Sequence, residues 1–362
     1  MPNLYLILLI YLAANICIAQ QIKAKKPRSV SITPLPVIYY APETRLGLGA
    51  AAAFVFRIFN SDTLSRRSNI QPYLIYTVNK QILSSIGYTL FFKEEKLRTE
   101  GEFAYYYFPE FYYGIGNNLP LSNQDTITYS WIRVYNKSLY KITNGIFSGL
   151  VYEYVNMFDL KRNTGNTLDK TKPTGFEGSR ISGIGPAVTY DTRDNVLNAS
   201  KGMYLDLTAL VYHTYTGSAY DFQKVKIDLR YFTTVWVKHR HVLAFQAYGV
   251  FVPGNAPFKH LAQLGGDVIT RGYYAGRYRN TYFMAFQAEY RLPIWRFIGI
   301  VSFAGAGSTA SNMSQFENNT IWPSYGGGLR IRISKKDNIN IRLDYGVGNG
   351  SDGYYINIAE AF

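Results

Sequence analysis

The segment 286–291 has the sequence FQAEYR, in which polar and apolar side chains alternate. Its polar set is Gln287, Glu289 and Arg291, and its apolar set is Phe286, Ala288 and Tyr290. Successive side chains of a β-strand point to opposite faces, so this strand separates a polar compartment from an apolar one. A long basic loop with several glycines precedes it from residue 264. The fold depends on what the two compartments are.

The composition favours one large β architecture over two soluble domains. The 362 residues include 33 Tyr, 22 Phe and 31 Gly, and long helical runs of Ala, Leu, Glu and Lys are missing. Tyr and Phe suit pleated, half-buried surfaces, and Gly with Asn and Asp supplies turns. The composition therefore predicts an all-β protein.

Segments with this alternation recur along the whole chain and are separated by turn residues. About sixteen are present, near 29–40, 45–58, 68–78, 81–93, 97–108, 126–141, 145–157, 180–192, 202–214, 219–235, 239–252, 280–292, 297–307, 323–334, 338–347 and 354–362. One sandwich core cannot cover so large an apolar surface, whereas a closed barrel with lipid outside and water inside can. Closure also removes exposed edges. We therefore predict a transmembrane antiparallel β-barrel of about 16 strands over residues 29–362.

The connections between these segments differ in length on the two sides of the predicted barrel. Short turns are predicted at 94–96, 143–144, 237–238, 293–296 and 335–337, and long loops at 109–125, 158–179, 253–279 and 308–322. Outer-membrane barrels combine short turns on one side with long loops on the other. The segment 60–67 departs from this pattern because it is long for the short-turn side.

Residues 1–19 resemble a secretory signal peptide. They carry no charged side chain, are almost wholly apolar over Leu4–Ile18, and have small residues at Cys17 and Ala19, after which we predict cleavage. Residues 20–28 would then form a short periplasmic lead-in. Cleavage would remove the only cysteine, which fits an exported fold without disulfides. Because Lys and Arg follow the apolar run instead of preceding it, a retained anchor is the alternative, although the run is short for a spanning helix.

Two motifs carry a resemblance to a known family. One is Arg271-Gly272-Tyr273, in the predicted loop between the eleventh and twelfth strands. The other is a turn made of Asp191, Arg193, Asp194 and Asn195, followed by Gly202. With these motifs the chain resembles the BamA-like outer-membrane assembly and translocation superfamily, also called bacterial surface antigen barrels. Weaker matches lie at 287–291, 326–330, 342–345 and Phe362, so the resemblance covers the second half of the chain better than the first.

The resemblance implies a lock between this loop and the barrel lumen. In the family the loop Arg pairs with acidic groups on neighbouring strands. Arg271 is therefore expected to meet Glu289, which lies on the strand face that points into the lumen. The family's second acidic position falls at Gly305, which implies that the lock loses one partner here. A buried Arg without a carboxylate is strongly disfavoured, which supports the Arg271 pair on physical grounds. The alternative is that Arg271 is an ordinary exposed loop cation.

Closing the barrel requires the first strand to pair with the last. The first strand contains Pro34 and Pro36, which cannot donate to a ladder and belong on edge strands. We therefore expect a short or weak seam. The alternative treats 31–36 as periplasmic lead-in and begins the pairing at Val37.

The last predicted strand, 354–362, resembles a barrel-assembly signal. One face of it carries Tyr354, Ile356, Ile358 and Phe362. Glu360 interrupts that face, which is tolerable near the rim of a barrel, where a carboxylate costs less than at the centre of the membrane.

The sequence contains no catalytic constellation, metal-ligand spacing or cofactor motif that would predict an enzyme. Its four histidines are His213, His239, His241 and His260. The formal net charge is +14, but Lys and Arg fall on inward parities, in loops and in turns, without a compact basic helix. This pattern argues against nucleic acid and favours contacts with lumen carboxylates and lipid phosphates.

We therefore expect a non-catalytic barrel in the outer membrane of a Gram-negative bacterium that assists protein insertion or translocation. Its expected partners are outer-membrane lipids, with unfolded outer-membrane proteins or periplasmic accessory proteins as candidate protein partners. Residues 20–28 are too few for the periplasmic POTRA domains of the family's best-known members, so clients would be handled through a partner or the barrel wall. The alternatives are a gated or passive pore and a non-catalytic subunit of an outer-membrane complex.

Overall fold

The computed structural model describes residues 30–58, 66–117, 119–236, 240–318, 320–334 and 338–362. The predicted signal peptide at 1–19 and lead-in at 20–28 lie outside these ranges. So do most of the connection at 60–67 and the predicted turns at 237–238 and 335–337.

Sixteen strands form one closed antiparallel barrel, which confirms the predicted architecture. They are β1 (Val30–Ala41), β2 (Arg45–Phe56), β3 (Ser68–Thr77), β4 (Ile82–Phe92), β5 (Leu97–Tyr112), β6 (Asp125–Thr143), β7 (Ile146–Lys161), β8 (Ser179–Asp191), β9 (Gly202–Tyr212), β10 (Phe222–Trp236), β11 (His241–Phe251), β14 (Tyr282–Trp295), β15 (Ile298–Ala310), β16 (Trp322–Ser334), β17 (Ile339–Gly348) and β18 (Ser351–Ile358). Between β11 and β14, the short strands β12 (Ala262–Leu264) and β13 (Tyr278–Asn280) pair with each other outside the barrel sheet.

Helical elements in the described ranges are short and lie in the connections. They are α1 (Thr167–Thr171) and 3-10 turns at Leu121–Asn123, Thr214–Thr216, Phe258–His260 and Met313–Asn318. None of the described helices is long and apolar enough to cross a membrane.

The alternating pattern of β14 sorts its side chains as predicted. Met284 and Phe286 point outward and are 44% and 54% exposed, whereas the inward-pointing Gln287 and Glu289 are 3% and 1% exposed. An apolar outer surface around a polar interior is the reverse of a soluble fold and matches a barrel whose outer face contacts lipid.

The two ends of the barrel differ as predicted. One end, the short-turn side, carries tight connections such as Thr143–Ile146, together with the longer turn at 192–201. The other end, the long-loop side, carries the connections at 113–124, 162–178 and 252–281. The strands β5 and β7 reach farther toward the long-loop side than predicted, because their last residues continue to pair with β6. The extended ends of β5, β6 and β7 lie beside the long connection at 252–281.

Candidate functional site at the central loop and the barrel seam

The central loop, residues 252–281 between β11 and β14, folds into the lumen. Its stem is the β12–β13 hairpin, and it buries Phe258, Leu264 and Arg271 completely. A loop of this length that buries its own side chains fills space that would otherwise hold water. Its contacts with the wall therefore decide whether the lumen is open.

The guanidinium of Arg271 lies between two carboxylates of the barrel wall. Nη2 is 2.6 Å from Oε1 of Glu289 on β14, and Nη1 is 2.6 Å from Oδ2 of Asp344 on β17. The guanidinium also lies 3.6 Å from the centroid of the Phe303 ring on β15. The interpretation of Arg271 as an exposed cation is wrong, since its side chain is 0% exposed. Each of these buried charges depends on its partner, because an unpaired charge in this position is costly.

The expectation that Arg271 loses its second acidic partner is wrong. Gly305 on β15 lies opposite Gln287 and brings no carboxylate, but Asp344 supplies one from β17. Asp344 shares the inward parity of Asn340 and Arg342, and all three are buried. That shared parity was the available signal in the sequence.

Arg271 is one member of a larger charge network. The network contains Arg271, Arg291, Arg330 and Arg342 with Asp267, Glu289, Asp344 and Glu360. Four guanidinium groups face four carboxylates, so the formal charges cancel. Arg330 links two parts of it, at 2.5 Å from Asp344 and 2.6 Å from Glu360. Removing Arg330 would leave Glu360 without its counter-charge, whereas Glu289 and Asp344 each contact more than one guanidinium.

The two residues after Arg271 seat the loop tip on the strands next to the seam. Gly272 has φ +106°, its N–H donates to the Tyr355 hydroxyl at 2.8 Å, and a Cβ there would lie 2.5 Å from the carbonyl carbon of Val347. The Tyr273 hydroxyl donates to the Pro323 carbonyl oxygen at 2.7 Å. Only glycine fits this backbone and this approach. The tip is therefore docked on β16, β17 and β18.

A second anchor holds the other part of the central loop on β5. Glu110 accepts from Nζ of Lys259 at 2.6 Å and from Nη2 of Arg279 at 3.1 Å. The Tyr129 hydroxyl donates to the same carboxylate at 3.2 Å. Burial lowers the pKa of Lys259 to about 8, although the charge of Glu110 opposes the shift. Sequence reasoning missed this anchor, because nothing local connects residues so far apart in the chain.

A third contact joins the loop to the turn between β1 and β2. The N–H of Ala275 donates to the carboxyl group of Glu43 in that turn. Burial raises the pKa of Glu43 to about 7, the Ala275 hydrogen bond lowers it, and the charges of Asp267 and Glu110 raise it. Glu43 thus differs from the other two anchors, since no cation forms an ion pair with it among the described residues.

His260 of the central loop lies in the packed interior beside Ser179 and Trp131. Its Nε2 lies 3.3 Å from the Ser179 hydroxyl, and its ring is 5.1 Å from that of Trp131. Burial lowers the pKa of His260 to about 3, so the ring is neutral and part of the packed interior. Among the described residues, no group of three or more His, Cys, Asp or Glu side chains is placed to hold a metal ion.

The seam between β1 and β18 consists of one residue pair, Tyr40 with Ile356. On its other edge every residue of β1 pairs with β2, from Val30 opposite Phe56 to Ala41 opposite Arg45. Residues 31–36 therefore belong to the strand, and their interpretation as periplasmic lead-in is wrong, although the one seam pair lies after Val37. The edge of β1 that faces β18 is almost entirely unpaired.

The two prolines of β1 point their nitrogens at this unpaired edge. Val78 donates to the Leu46 carbonyl oxygen at 2.8 Å, so the peptide groups of Leu46 face β3. Tyr40 lies opposite Leu46, and its own peptide groups must therefore face away from β2, toward β18. Pro34 and Pro36 share the parity of Tyr40. They leave the β2 ladder intact and remove two donors from the seam.

The last strand ends earlier than predicted, and its final residues turn inward. β18 stops at Ile358, and Ala359 has φ +72°. Phe362 is 7% exposed and packs with Phe232, Ala199 and Ala244 in the lumen, so the prediction that it shares one strand face with Tyr354, Ile356 and Ile358 is wrong. In contrast, Tyr354 and Ile358 are 60% and 42% exposed on the outer face, and Ile356 is half-buried.

The register explains the early end of β18. Continued from the pair of Tyr40 with Ile356, an antiparallel ladder would place Glu360 opposite Pro36 and Phe362 opposite Pro34. Neither proline can donate. Glu360 instead accepts from Nε of Arg330 at 2.6 Å, inside the lumen.

The turn motif stabilises its own backbone on the short-turn side. Asp191 receives two side-chain hydrogen bonds from Arg193, both at 2.9 Å. Asp194 accepts from the N–H of Ser200 at 2.9 Å, and Asn195 accepts from the N–H groups of Leu197 and Asn198. Gly202 has φ +106°, and a Cβ there would lie 2.4 Å from the Thr192 carbonyl oxygen. These contacts hold the turn from 191 to 202 in one conformation.

With the loop, the seam and the turn described, comparison with known proteins places the chain in a family. A family model for the Omp85 superfamily domain matches residues 60–362. The chain belongs to the Omp85 superfamily. This confirms the resemblance inferred from its motifs, and Omp85 membership together with the barrel structure points to the outer membrane.

Solved structures show the same fold at low sequence identity. BamA from Haemophilus ducreyi, in a form lacking POTRA domains 1–3, is 12% identical with a TM-score of 0.61, covering 92% of this chain and 71% of that one. CdiB from Escherichia coli is 10% identical with a TM-score of 0.59, covering 93% of this chain and 64% of that one. CdiB from Acinetobacter baumannii is 13% identical with a TM-score of 0.59, covering 93% and 61%.

This Omp85 chain thus spans less than two thirds of both CdiB structures. No protein of curated function matches its sequence. At these identities the likeness concerns the fold.

Proposed function

We propose that this Omp85 barrel assists the insertion or translocation of other proteins at the outer membrane by opening between β1 and β18. The observation that carries the proposal is the single pair of Tyr40 with Ile356. The neighbouring ladder of β18 with β17 runs from Gly348 opposite Ser351 to Ile341 opposite Ile358. Each main-chain hydrogen bond contributes about 0.5–1.5 kcal/mol net, so the seam is the least costly place to part the wall.

The central loop supports an exit through the seam over a route through the lumen. Its anchors on Glu289 and Glu110 lie on different parts of the wall and fix the loop across the interior. A passive pore would require this loop to leave, which would strand buried charges. The seam can part while the Arg271 contacts with β14 and β17 stay intact, because neither strand borders the gap.

The test measures the folding rate of a urea-denatured outer-membrane barrel protein into liposomes that contain this protein, against empty liposomes. A seam-locked variant carries Tyr40→Cys and Ile356→Cys, since opposite residues of antiparallel strands lie within disulfide reach. We expect acceleration by the reduced variant, loss of acceleration on oxidation, and recovery on reduction.

The matched control carries Phe286→Cys and Ala306→Cys, an opposite pair within the complete β14–β15 ladder. Its oxidation should leave the acceleration unchanged. Acceleration that survives the seam disulfide would rule out opening at β1 and β18. Absence of acceleration with ion conductance through the reconstituted barrel would favour a pore, and absence of both would favour a subunit of a complex.

A further inference from the structure

A cavity of about 570 Å³ lies at the short-turn mouth of the lumen. It is lined by the ends of β10, β11 and β14 to β17 and by the turn at 192–201. It lies outside the central loop and does not include the seam pair. Its volume falls in the range of small-molecule sites, about 300–1,000 Å³, and is larger than a single bound ion requires.

The cavity has an excess of positive charge. Its charged lining residues are Lys201, Arg240, Arg291, Arg330 and Arg332 against Asp194 and Glu360. Both carboxylates are already engaged, because Asp194 accepts from Ser200 and Glu360 accepts from Arg330. Arg291 and Arg330 are paired with wall carboxylates as well.

Three cations remain for a ligand. Lys201, Arg240 and Arg332 form no ion pair with any described carboxylate, yet they line one cavity from three different chain segments. Lys201 lies in the β8–β9 turn, Arg240 precedes β11, and Arg332 belongs to β16. Like charges that line one cavity repel one another, and an anion bound between them removes the repulsion.

The turn motif holds one of these cations in place. Asp194 accepts from the main-chain N–H groups of Ser200 and Lys201. Thr234 on β10 donates to the Ser200 carbonyl oxygen at 3.1 Å, and Asn338 donates to the Asn198 carbonyl oxygen at 3.3 Å. The turn is thereby tied to the neighbouring strand β10 and, across the mouth, to the residue that precedes β17. It covers the cavity and places Lys201 at its edge.

We propose that this cavity binds a phosphate-bearing ligand through Lys201, Arg240 and Arg332. Guanidinium groups match phosphate oxygens in a bidentate geometry, and Lys adds a point charge. The remaining lining includes Leu292, Phe297 and Ile298, which reach the rim where Phe297 is 46% exposed on the outer surface. A charged end beside an apolar rim suits the phosphate of a membrane lipid, whereas a free phosphorylated solute would use the charged end alone.

The test is calorimetric titration of the full chain in a non-ionic detergent with three probes. Dihexanoyl phosphatidic acid carries phosphate and acyl chains, dihexanoylglycerol carries the chains alone, and inorganic phosphate carries the charge alone. The site variant combines Lys201→Gln with Arg332→Gln. The control combines Lys93→Gln with Lys96→Gln, two exposed lysines in the β4–β5 turn on the same side of the barrel.

We expect the phosphatidic acid to bind, and the site variant to weaken it by about tenfold or more, since a hydrogen bond to a charged group contributes about 1.5–3 kcal/mol. The control should bind as the unmodified chain does, and dihexanoylglycerol should not bind in the cavity. If inorganic phosphate also binds, and the site variant weakens its binding to the same extent, the site is supported and its ligand is a soluble phosphate compound.

The proposal is overturned if neither phosphate probe binds, or if the site variant and the control bind equally. Gel mobility before and after heating checks that each barrel is folded. Arg240→Gln alone is a second variant, at an exposed turn position, and should weaken the same probe.

Discussion

The two buried anchors of the central loop differ in their numbers of positive and negative groups. At the first, the loop cation Arg271 lies between the wall carboxylates Glu289 and Asp344. At the second, the wall carboxylate Glu110 lies between the loop cations Lys259 and Arg279. In both the loop brings the positive charge and the wall the negative charge. Attraction between loop cations and wall carboxylates therefore orients the loop against the wall at two places that are far apart in the barrel.

Removing the first anchor should have the largest effect. Arg271→Ala takes one cation from both Glu289 and Asp344 and leaves the buried network with one uncompensated negative charge, so we expect the free energy of unfolding to fall by about 3–5 kcal/mol. Urea unfolding of the reconstituted barrel, followed by tryptophan fluorescence, measures this loss. Arg271→Lys should lower the free energy of unfolding by an intermediate amount, because lysine keeps the positive charge but lacks the planar guanidinium that reaches both carboxylates.

Arg180→Ala is the control for Arg271→Ala. Arg180 is an exposed arginine on β8. We expect a change within about 0.5 kcal/mol for this surface substitution. Equal urea midpoints for Arg271→Ala and Arg180→Ala would show that the first anchor does not stabilise the barrel.

Weakening the second anchor should cost less. Glu110→Gln leaves Lys259 and Arg279 without an anion, and we expect a loss of about 1.5–3 kcal/mol. The loss is smaller because the pKa of Lys259 is lowered to about 8, so this amine can release its proton at modest cost. The same urea assay applies, with the exposed Glu177→Gln as control. The two anchors share no partner, so a combined loss that departs from additivity by more than about 0.5 kcal/mol would contradict their independence.

The smallest effect concerns Glu43, the loop contact without a cation. Burial raises its pKa from 4.5 to about 7, so the folded state holds this proton more tightly than the unfolded state. The resulting stabilisation is complete below pH 4.5 and is lost as the pH rises to about 7. We expect the unmodified chain to lose about 1–2 kcal/mol relative to Glu43→Gln between pH 5 and pH 8, since local opening can hydrate the carboxylate. If the free energy of unfolding of the two proteins changed equally between pH 5 and pH 8, the predicted role of Glu43 would be refuted.

The barrel and most strand limits could be predicted because their signal is local. In β14 the parity of Gln287, Glu289 and Arg291 is visible in six consecutive residues, and the same parity decides which side chains enter the lumen. Arg271 and Glu289 are 18 residues apart, with the strand that carries Glu289 directly following the loop. Their contact was accessible once the family motif placed the loop inside.

The other contacts of the site could not be predicted from the sequence, because they depend on which strands face each other in the closed barrel. Asp344 lies 73 residues from Arg271, and Glu110 lies 149 residues from Lys259. No local pattern states which strand faces a loop across the lumen. The inward turn after Ile358 has the same origin, because the alternation of β18 continues in the sequence but the residues opposite it are prolines.

The contact between Glu43 and Ala275 has a consequence for the order of folding. These residues are 232 positions apart, and one lies in the first hairpin while the other lies in the central loop. Loop-closure entropy opposes so distant a contact until the intervening strands have assembled. We expect this hydrogen bond to form only when the two edges of the sheet have met. Slow hydrogen exchange at the Ala275 amide would then mark barrels whose closure is complete.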